Sequence, residues 1–475
     1  MTEREKLVVR ADGFRGDIGV ARRDITPPVG IYARQWGAAR HDVAEGVHRP
    51  LTLTALVLRD PNADSRLVLL AMDGGWFKVR QDEENIRVAV VDRLGMDPSR
   101  VILTLSHTHA ACSLSSSDAD RPGGHLIAPY LETIAARACE AAKEATASAV
   151  AGRLIWSTGR CDLAVNRDLP DPDPDQNRFV VGFNPAEQPE DTLVVGRATR
   201  DSDDACVATI VNYACHPTTL AWENRLISPD YVGAAREVVE SATGEAPMLF
   251  LQGASGELSP AHQYTGDTAI ADRHGARLGY AVLSTLKSME PAGQGLRYTG
   301  ARESGATLGI WATEPYDLPQ VLASASFSVA LPIKPMPSEQ EIEEALAACE
   351  DRVLGERLSR QLAKVKLMGS GPDCPVTVWL LLAGNTIFVG LPHECYSRFQ
   401  RHLRRAFPDH TVIVMNLANG ASGSYLYPPD SSSEGIYQVW VSPFTAAALP
   451  ELTDACVREI GQLIASVDHG SCPVR

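Results

Sequence analysis

Residues 101–113 read VILTLSHTHAACS, five apolar or β-branched residues that run without a break into Ser106, His107 and His109. A run of that length and composition reads as a β-strand, and the polar residues fall where the strand would end. The same design recurs in ATIVNYACHPTTL (208–220), which delivers His216, and in TIFVGLPHECYSRF (386–399), which delivers His393 and Glu394. It recurs again in TVIVMNLANGASGSYLYPP (411–429), which delivers Asn419 and Tyr425. Strand ends are where α/β proteins assemble sites, because a rigid sheet brings side chains from distant sequence positions into one crevice.

Further strand-length runs flank these four: LTLTALVLRD (51–60), RLVLLAMD (66–73), APMLFLQG (246–253) and PVTVWLLLAG (375–384). Helical periodicity lies between them, over 81–95, 130–150, 231–243, 267–289, 394–407 and 444–466. The expected fold class is therefore mixed α/β, a β-sheet core flanked by helices. Ser338 and Glu341 form an S-x-x-E capping box after a proline-rich break. The charged stretch that follows, to about residue 368, reads as a solvated outer helix. RDLPDPDPDQNRF (167–179) and YPPDSSSEGIY (427–437) read as loops. No repeat or low-complexity tract divides the chain, so residues 1–475 are expected to form one catalytic unit with a helical excursion near 338–368.

Composition excludes several classes. A net charge of −15 with no basic run argues against a nucleic-acid binder, whose affinity rests on clustered Lys and Arg. No apolar stretch approaches the roughly 20 residues that span a bilayer. The start, MTEREKLVVRADGF, has no apolar core of a signal peptide, which makes cytoplasm the expected compartment. The ten cysteines include no C-x-x-C pair and read as buried thiols, Cys215 and Cys395 among them.

Two histidines and a carboxylate at strand ends suit zinc, which takes three or four N, O or S donors and, in catalytic sites, keeps one position for water. At i and i+2 of an extended strand, His107 and His109 would face the same side; past the onset of a turn, only one need do so. Pro217 restricts His216 to extended conformations. In LQGASGELSP (251–260), Gly253 and Gly256 allow main-chain N–H groups to approach a ligand. Ser259 lacks the G-x-S-x-G elbow of an α/β-hydrolase.

The chain resembles the neutral/alkaline (non-lysosomal) ceramidase family along most of its length. The likeness runs through VARRDITPPVG, EGVHRPLTLTALVL, SHTHAACS, VNRD, NYACHPTTL, ISPDYVG, LQGASGELSP, LPHECYSRF and NLANGASGSYLYPP, in the family's order. The resemblance implies a zinc amidase with His107, His216, Glu394 and Tyr425 as metal ligands. It further implies Ser259, His109 and Tyr425 as catalytic residues, and a substrate-binding lining that includes Asn166 and Arg167. Gly256 and Asn419, in two of the shared motifs, are expected to line it too. Ala110–Cys112 stand where the family has Ser-Gly-Pro, Glu257–Leu258 replace Asp-Val, and Tyr427 competes with Tyr425 for the fourth ligand position. The family's immunoglobulin-like C-terminal domain is not expected.

The expected function is thus metal-assisted hydrolysis of an N-acyl amide by activated water, on a small or amphiphilic substrate. The same donors also suit Mn²⁺ or Fe²⁺. Alternatives are an esterase, lactonase or carbamoyl hydrolase on the same site, or a metal-stabilised binding protein without activity. No stable membrane insertion is expected, and homo-oligomerisation is left open.

Overall fold

A computed structural model of the chain describes residues 7–468, apart from 64, 174, 177, 370, 422, 423 and 432. Eight strands form the larger sheet: β1 (Gly13–Asp24), β2 (Thr52–Asp60), β3 (Ser65–Met72), β4 (Val101–Leu105), β5 (Val150–Arg160), β6 (Thr192–Arg200), β7 (Cys206–Tyr213) and β8 (Met248–Gln252). Their order is β8-β7-β6-β5-β1-β2-β3-β4. Four more, β9 (Leu322–Pro332), β10 (Asp373–Ala383), β11 (Thr386–Gly390) and β12 (Thr411–Met415), form a second sheet in that order. Pairing is antiparallel except at β7/β8, β3/β4 and β11/β12.

The two sheets stack face to face, and strict alternation along each strand shows it. In β2, Leu53, Ala55 and Val57 turn to one layer while Leu56 and Leu58 turn to the other. In β12, Val412 and Val414 face outward, and Ile413 and Met415 join Leu56, Ile102, Leu249 and Phe388 between the sheets. Helices α1 (Arg80–Leu94) and α2 (Ile127–Ala147) cover one half of the large sheet's outer face; α3 (Tyr231–Ala242) and α4 (Thr268–Lys287) cover the other. The outer face of the small sheet lies under α7 (Arg398–Ala406) and α9 (Ala448–Asp468). The result is four layers, helix–sheet–sheet–helix. Strands buried on both faces read as unbroken apolar runs, which is why so many were recognisable in the sequence.

The mixed α/β expectation holds, with boundary corrections. The charged stretch after Pro337 is two helices, α5 (Glu339–Ala347) and α6 (Arg352–Met368). Ser338 and Glu341 form the expected capping box, but Asp351 caps a fresh start by accepting from Leu354 N–H. Nor is α6 wholly solvated, since Val365 and Met368 are buried. The helix expected from residue 394 starts at Arg398, because Glu394–Cys395 pairs instead with Tyr425–Leu426 in a short parallel ladder. Between these ranges a five-residue helix, α8 (Tyr437–Val441), occupies the end of the expected loop. The 167–179 loop holds a small ladder between Asp168–Pro170 and Phe179–Val181. An unanticipated hairpin, Gln294–Glu303 with Thr307–Pro315, lies largely exposed, so no buried face imprints a pattern on it.

The sheets are locked together beside the strand ends that matter. Asn212, at the end of β7 and fully buried, donates to Leu251 O on the neighbouring strand (3.0 Å) and to Val414 O on the other sheet (2.9 Å). Thr104 forms a bridge with Ala418, and Asn416 N–H donates to Gln252 O. Phe388 sits in the intersheet layer with an edge-to-face contact to Trp156 at 6.0 Å. Phe388→Ala should cost about 3–5 kcal/mol of unfolding free energy, read as a lowered urea midpoint. A change under about 1 kcal/mol would contradict tight packing between the sheets.

Candidate metal centre

The C-terminal ends of β4, β7, β11 and β12 open onto one buried crevice. After β4 the chain turns sharply, with His107 at φ 67°, in the left-handed region that non-glycine residues enter only when their surroundings demand it. The turn was one of the two alternatives open in the sequence, yet even with it both histidines converge: His109 Nε2 lies 3.4 Å from His107 Nε2. His216 follows β7, its N–H donating to Leu258 O. Glu394 sits in the ladder opposite Tyr425, which carries that tyrosine to the same point.

The donor atoms explain themselves through their partners. His107 Nδ1 lies 3.2 Å from Gly75 O, and His216 Nδ1 lies 3.0 Å from Leu258 O. Carbonyls only accept, so each Nδ1 carries a proton and each Nε2 is the ring atom turned into the crevice. Both Nε2 atoms meet Glu394 Oε2, at 3.2 Å from His107 and 2.9 Å from His216. Burial, with Arg167 nearby, lowers the His216 imidazole to about 4, and burial with the adjacent imidazoles holds His109 well below its usual value. Burial raises the Glu394 carboxyl, but charge and hydrogen bonding from His107 and His216 outweigh it and hold the carboxyl well below the usual glutamate range. Three atoms able to bind a metal ion thus converge on one point.

This set fits a divalent ion. Bonds of 2.0–2.2 Å in tetrahedral geometry put donor atoms about 3.3–3.6 Å apart, near the separations here. The δ-nitrogen bonds to main-chain carbonyls are the outer contacts that orient metal-binding histidines. His109 also belongs to the cluster: the ligand atoms of His107, His109 and His216 all lie within 4.8 Å of one another. Two donor sets, completed by His109 or by Glu394, therefore share His107 and His216.

Tyr425 reaches the site through Arg167, whose Nη2 lies 3.3 Å from the phenol oxygen and 3.3 Å from His216 Nε2. That guanidinium is buried and donates to Gly256 O at 2.7 Å and 3.1 Å. Gly256 is held where a Cβ would lie 2.7 Å from Tyr396 and 3.2 Å from the Cys395 main chain. Tyr427 points elsewhere, donating to Phe444 O. Ser259 is buried one residue beyond Leu258 and accepts from Gln263 Nε2 at 2.8 Å. Asn166 uses its side-chain oxygen on Asp168 N–H. Asn419, at φ 49°, binds the β4 main chain by accepting from Leu103 N–H and donating to Val101 O. Its amide holds the strand that carries His107 and is not presented to a ligand. His393 turns away to pack on Phe444 at 5.0 Å. Cys215 and Cys395 are buried thiols, as expected.

Several contributors carry no sequence signal. Trp36 and Trp76 flank His109 at 5.2 Å and 5.1 Å, and Trp222 and Tyr264 close in behind Trp36. Gln438 bridges Gly256 O and Asp168. The four aromatic residues lie singly in loops and Gln438 in the short α8, where no periodicity singles them out.

Fold and site together define a hydrolase built around a buried, metal-competent cluster at the ends of strands. The chain belongs to the neutral/alkaline non-lysosomal ceramidase family, whose N-terminal domain signature matches residues 17–263. That family hydrolyses the amide C–N bond of ceramide, a non-peptide linear amide, and is metal-dependent; the chain is accordingly an amide hydrolase. Across 97% of its length it shares the fold of neutral ceramidase from Pseudomonas aeruginosa, with a TM-score of 0.69 and 17% identity, covering 76% of that protein. A ceramidase complexed with C2 matches over the same shares, with a TM-score of 0.68 and 15% identity.

Glu257 supplies a pH test of the surrounding architecture. Burial raises its carboxyl to about 7, against bonds from the Ser397 hydroxyl and N–H that lower it. Folded Glu257 keeps its proton at pH values where an unfolded glutamate has released it. Its contribution to stability is therefore complete below the ordinary glutamate range and is lost as pH rises through about 7. Between about pH 5 and about pH 8, Glu257→Gln should lose less thermal midpoint than wild type. Equal slopes in the two proteins would contradict the assignment.

Proposed function

We propose that the chain is a zinc-dependent amidohydrolase that cleaves the N-acyl bond of a small or amphiphilic substrate by attack of water. His107, His216 and Glu394 hold the ion, with Tyr425 as fourth donor; Mn²⁺ and Fe²⁺ suit the same atoms. The observation that carries this reading is the meeting of two imidazole Nε2 atoms with one carboxylate oxygen within 3.2 Å, buried from solvent. Glu394 favours itself over His109 as third donor because its charge offsets that of the ion, and because Oε2 stands close to both Nε2 atoms.

A bound divalent ion supplies Lewis acidity toward the scissile carbonyl and brings a water molecule's pKa toward about 7. The remaining work falls to the protein. His109, half-buried between Trp36 and Trp76, faces the crevice and donates to the oxyanion that develops in acyl transfer. Arg167 fixes the Tyr425 phenol and places positive charge beside it. Ser259 orients water or substrate with its hydroxyl. Its partner is the Gln263 amide rather than an imidazole, so it lacks the base that an attacking serine needs. The indoles of Trp36 and Trp76 exclude bulk water, which strengthens each of these interactions.

Metal analysis joined to an assay on N-lauroyl amines tests the reading. The purified protein should hold one zinc per chain, lose turnover on chelation and regain it on zinc add-back. Glu394→Ala should weaken zinc binding by at least about a hundredfold, whereas His109→Ala should keep the metal and lose kcat. Undiminished turnover after chelation, or zinc held tightly by Glu394→Ala, would contradict it.

A further inference from the structure

A groove of about 570 Å³ runs between α6, α8 and the 334–337 segment, outside the cluster just described. Its walls are apolar: Met336, Val353, Leu354, Tyr437 and Trp440 line it, and three of these are conspicuously solvent-facing, Val353 at 52%, Leu354 at 48% and Trp440 at 46%. The volume is that of a site for a drug-sized or short-chain amphiphilic ligand.

The groove's wall touches residues of the metal centre at one end and adjoins its aromatic enclosure at the other. Tyr437 lines it and stacks edge-on against Tyr425 at 6.0 Å, while Ser442 lines it and donates to Tyr425 O at 2.6 Å. At the other end, Gly37 lines it next to Trp36, which packs on His109. A ligand seated here would lie alongside the reacting centre.

Its charge is one-sided. Lys334, Arg357, Arg360 and Lys364 all line the groove. Glu356, the carboxylate among the lining residues, already pairs with Arg34 at 2.9 Å and with Arg360 at 2.7 Å. Lys364 Nζ donates to Val441 O, and Lys334 Nζ to Val439 O and Ser442 O. Arg357 lies over the Trp440 ring at 5.0 Å. Glu434 acts on Lys334 only from a distance. Among the described residues, none of Lys334, Arg357 and Lys364 has a carboxylate within ion-pair range. Burial lowers the Lys364 ammonium to about 8, a destabilisation that an anion beside it would relieve. In a chain of net charge −15, three unpaired cations around one apolar groove stand out.

We propose that this groove holds the apolar chain and the anionic head of an N-acyl amide substrate, with Lys334, Arg357 and Lys364 setting specificity for a carboxylate. The proposal rests on the amidohydrolase reading above and names its substrate class. Apolar walls take the chain, the cations take the carboxylate, and the scissile amide between them falls toward Tyr425 and His109.

Matched substrates test it on the zinc-loaded full chain: N-lauroylglycine against N-lauroylethanolamine, which differ in the anionic head. The acidic amide should have a kcat/KM at least about tenfold higher, through KM. Lys364→Met and, at an exposed position, Arg357→Gln should each shrink that preference ratio severalfold, a change that a purely structural defect would not produce. Calorimetry on the chelated protein should show N-lauroylglycine binding that weakens in both variants. Hydrolysis of both amides without preference, or variants that leave the ratio unchanged, would overturn the groove's role alone. Hydrolysis of neither amide would overturn the amidohydrolase reading and this inference with it.

Discussion

Two imidazoles turn their Nε2 atoms to the same carboxylate oxygen in a buried pocket. A buried ionised carboxylate is costly unless something positive meets it. The hydrogen bonds that create this arrangement are local: Gly75 O and Leu258 O fix which nitrogen of each ring is protonated. A divalent cation satisfies all three atoms at once, and the rest of the fold holds them until it does.

That holding depends on the sheets. The donors come from four strand ends spread from His107 to Tyr425, two ends from each sheet, so the crevice keeps its shape only if the sheets cannot slide. Asn212 ties them by bonding carbonyls on both, and Asn419 pins the strand that carries His107. The left-handed backbone at His107 is strained alone, and this scaffold sustains it. Beyond the donors, Arg167 links Gly256, Tyr425 and His216, which couples the loop before Ser259 to the ring opposite Glu394. The groove along α6 then supplies what a metal centre lacks, a means of choosing among amides by the rest of the molecule.

Much of this was legible in the sequence, and what escaped has physical reasons. An apolar run ending in His or Glu shows a strand with chemistry at its tip, so His107, His109, His216, His393 and Glu394 stood out as candidates before any fold was known, and the family resemblance chose His107, His216 and Glu394 among them. Those same runs are buried on both faces, and such strands do not reveal which of two stacked sheets they join. The left-handed turn at His107 is imposed by tertiary contacts, with no glycine to mark it, so whether His109 would join the crevice could not be read from spacing. Helical periodicity around Phe399 and Leu403 extended the apparent helix back over Glu394, where pairing with Tyr425 prevails. Tyr425 and Tyr427 lie two residues apart and are alike in composition; they part only because one faces Arg167 and the other Phe444. The aromatic enclosure of Trp36, Trp76, Trp222 and Tyr264 comes from isolated loop residues and left no pattern to find.

Crystals of the protein grown with zinc and measured on both sides of the zinc absorption edge would test the central claim most directly. The account predicts one anomalous peak per chain, about 2.0–2.2 Å from Nε2 of His107, Nε2 of His216 and a carboxylate oxygen of Glu394. An absent peak there, with a proton-mediated contact between imidazole and carboxylate in its place, would contradict it.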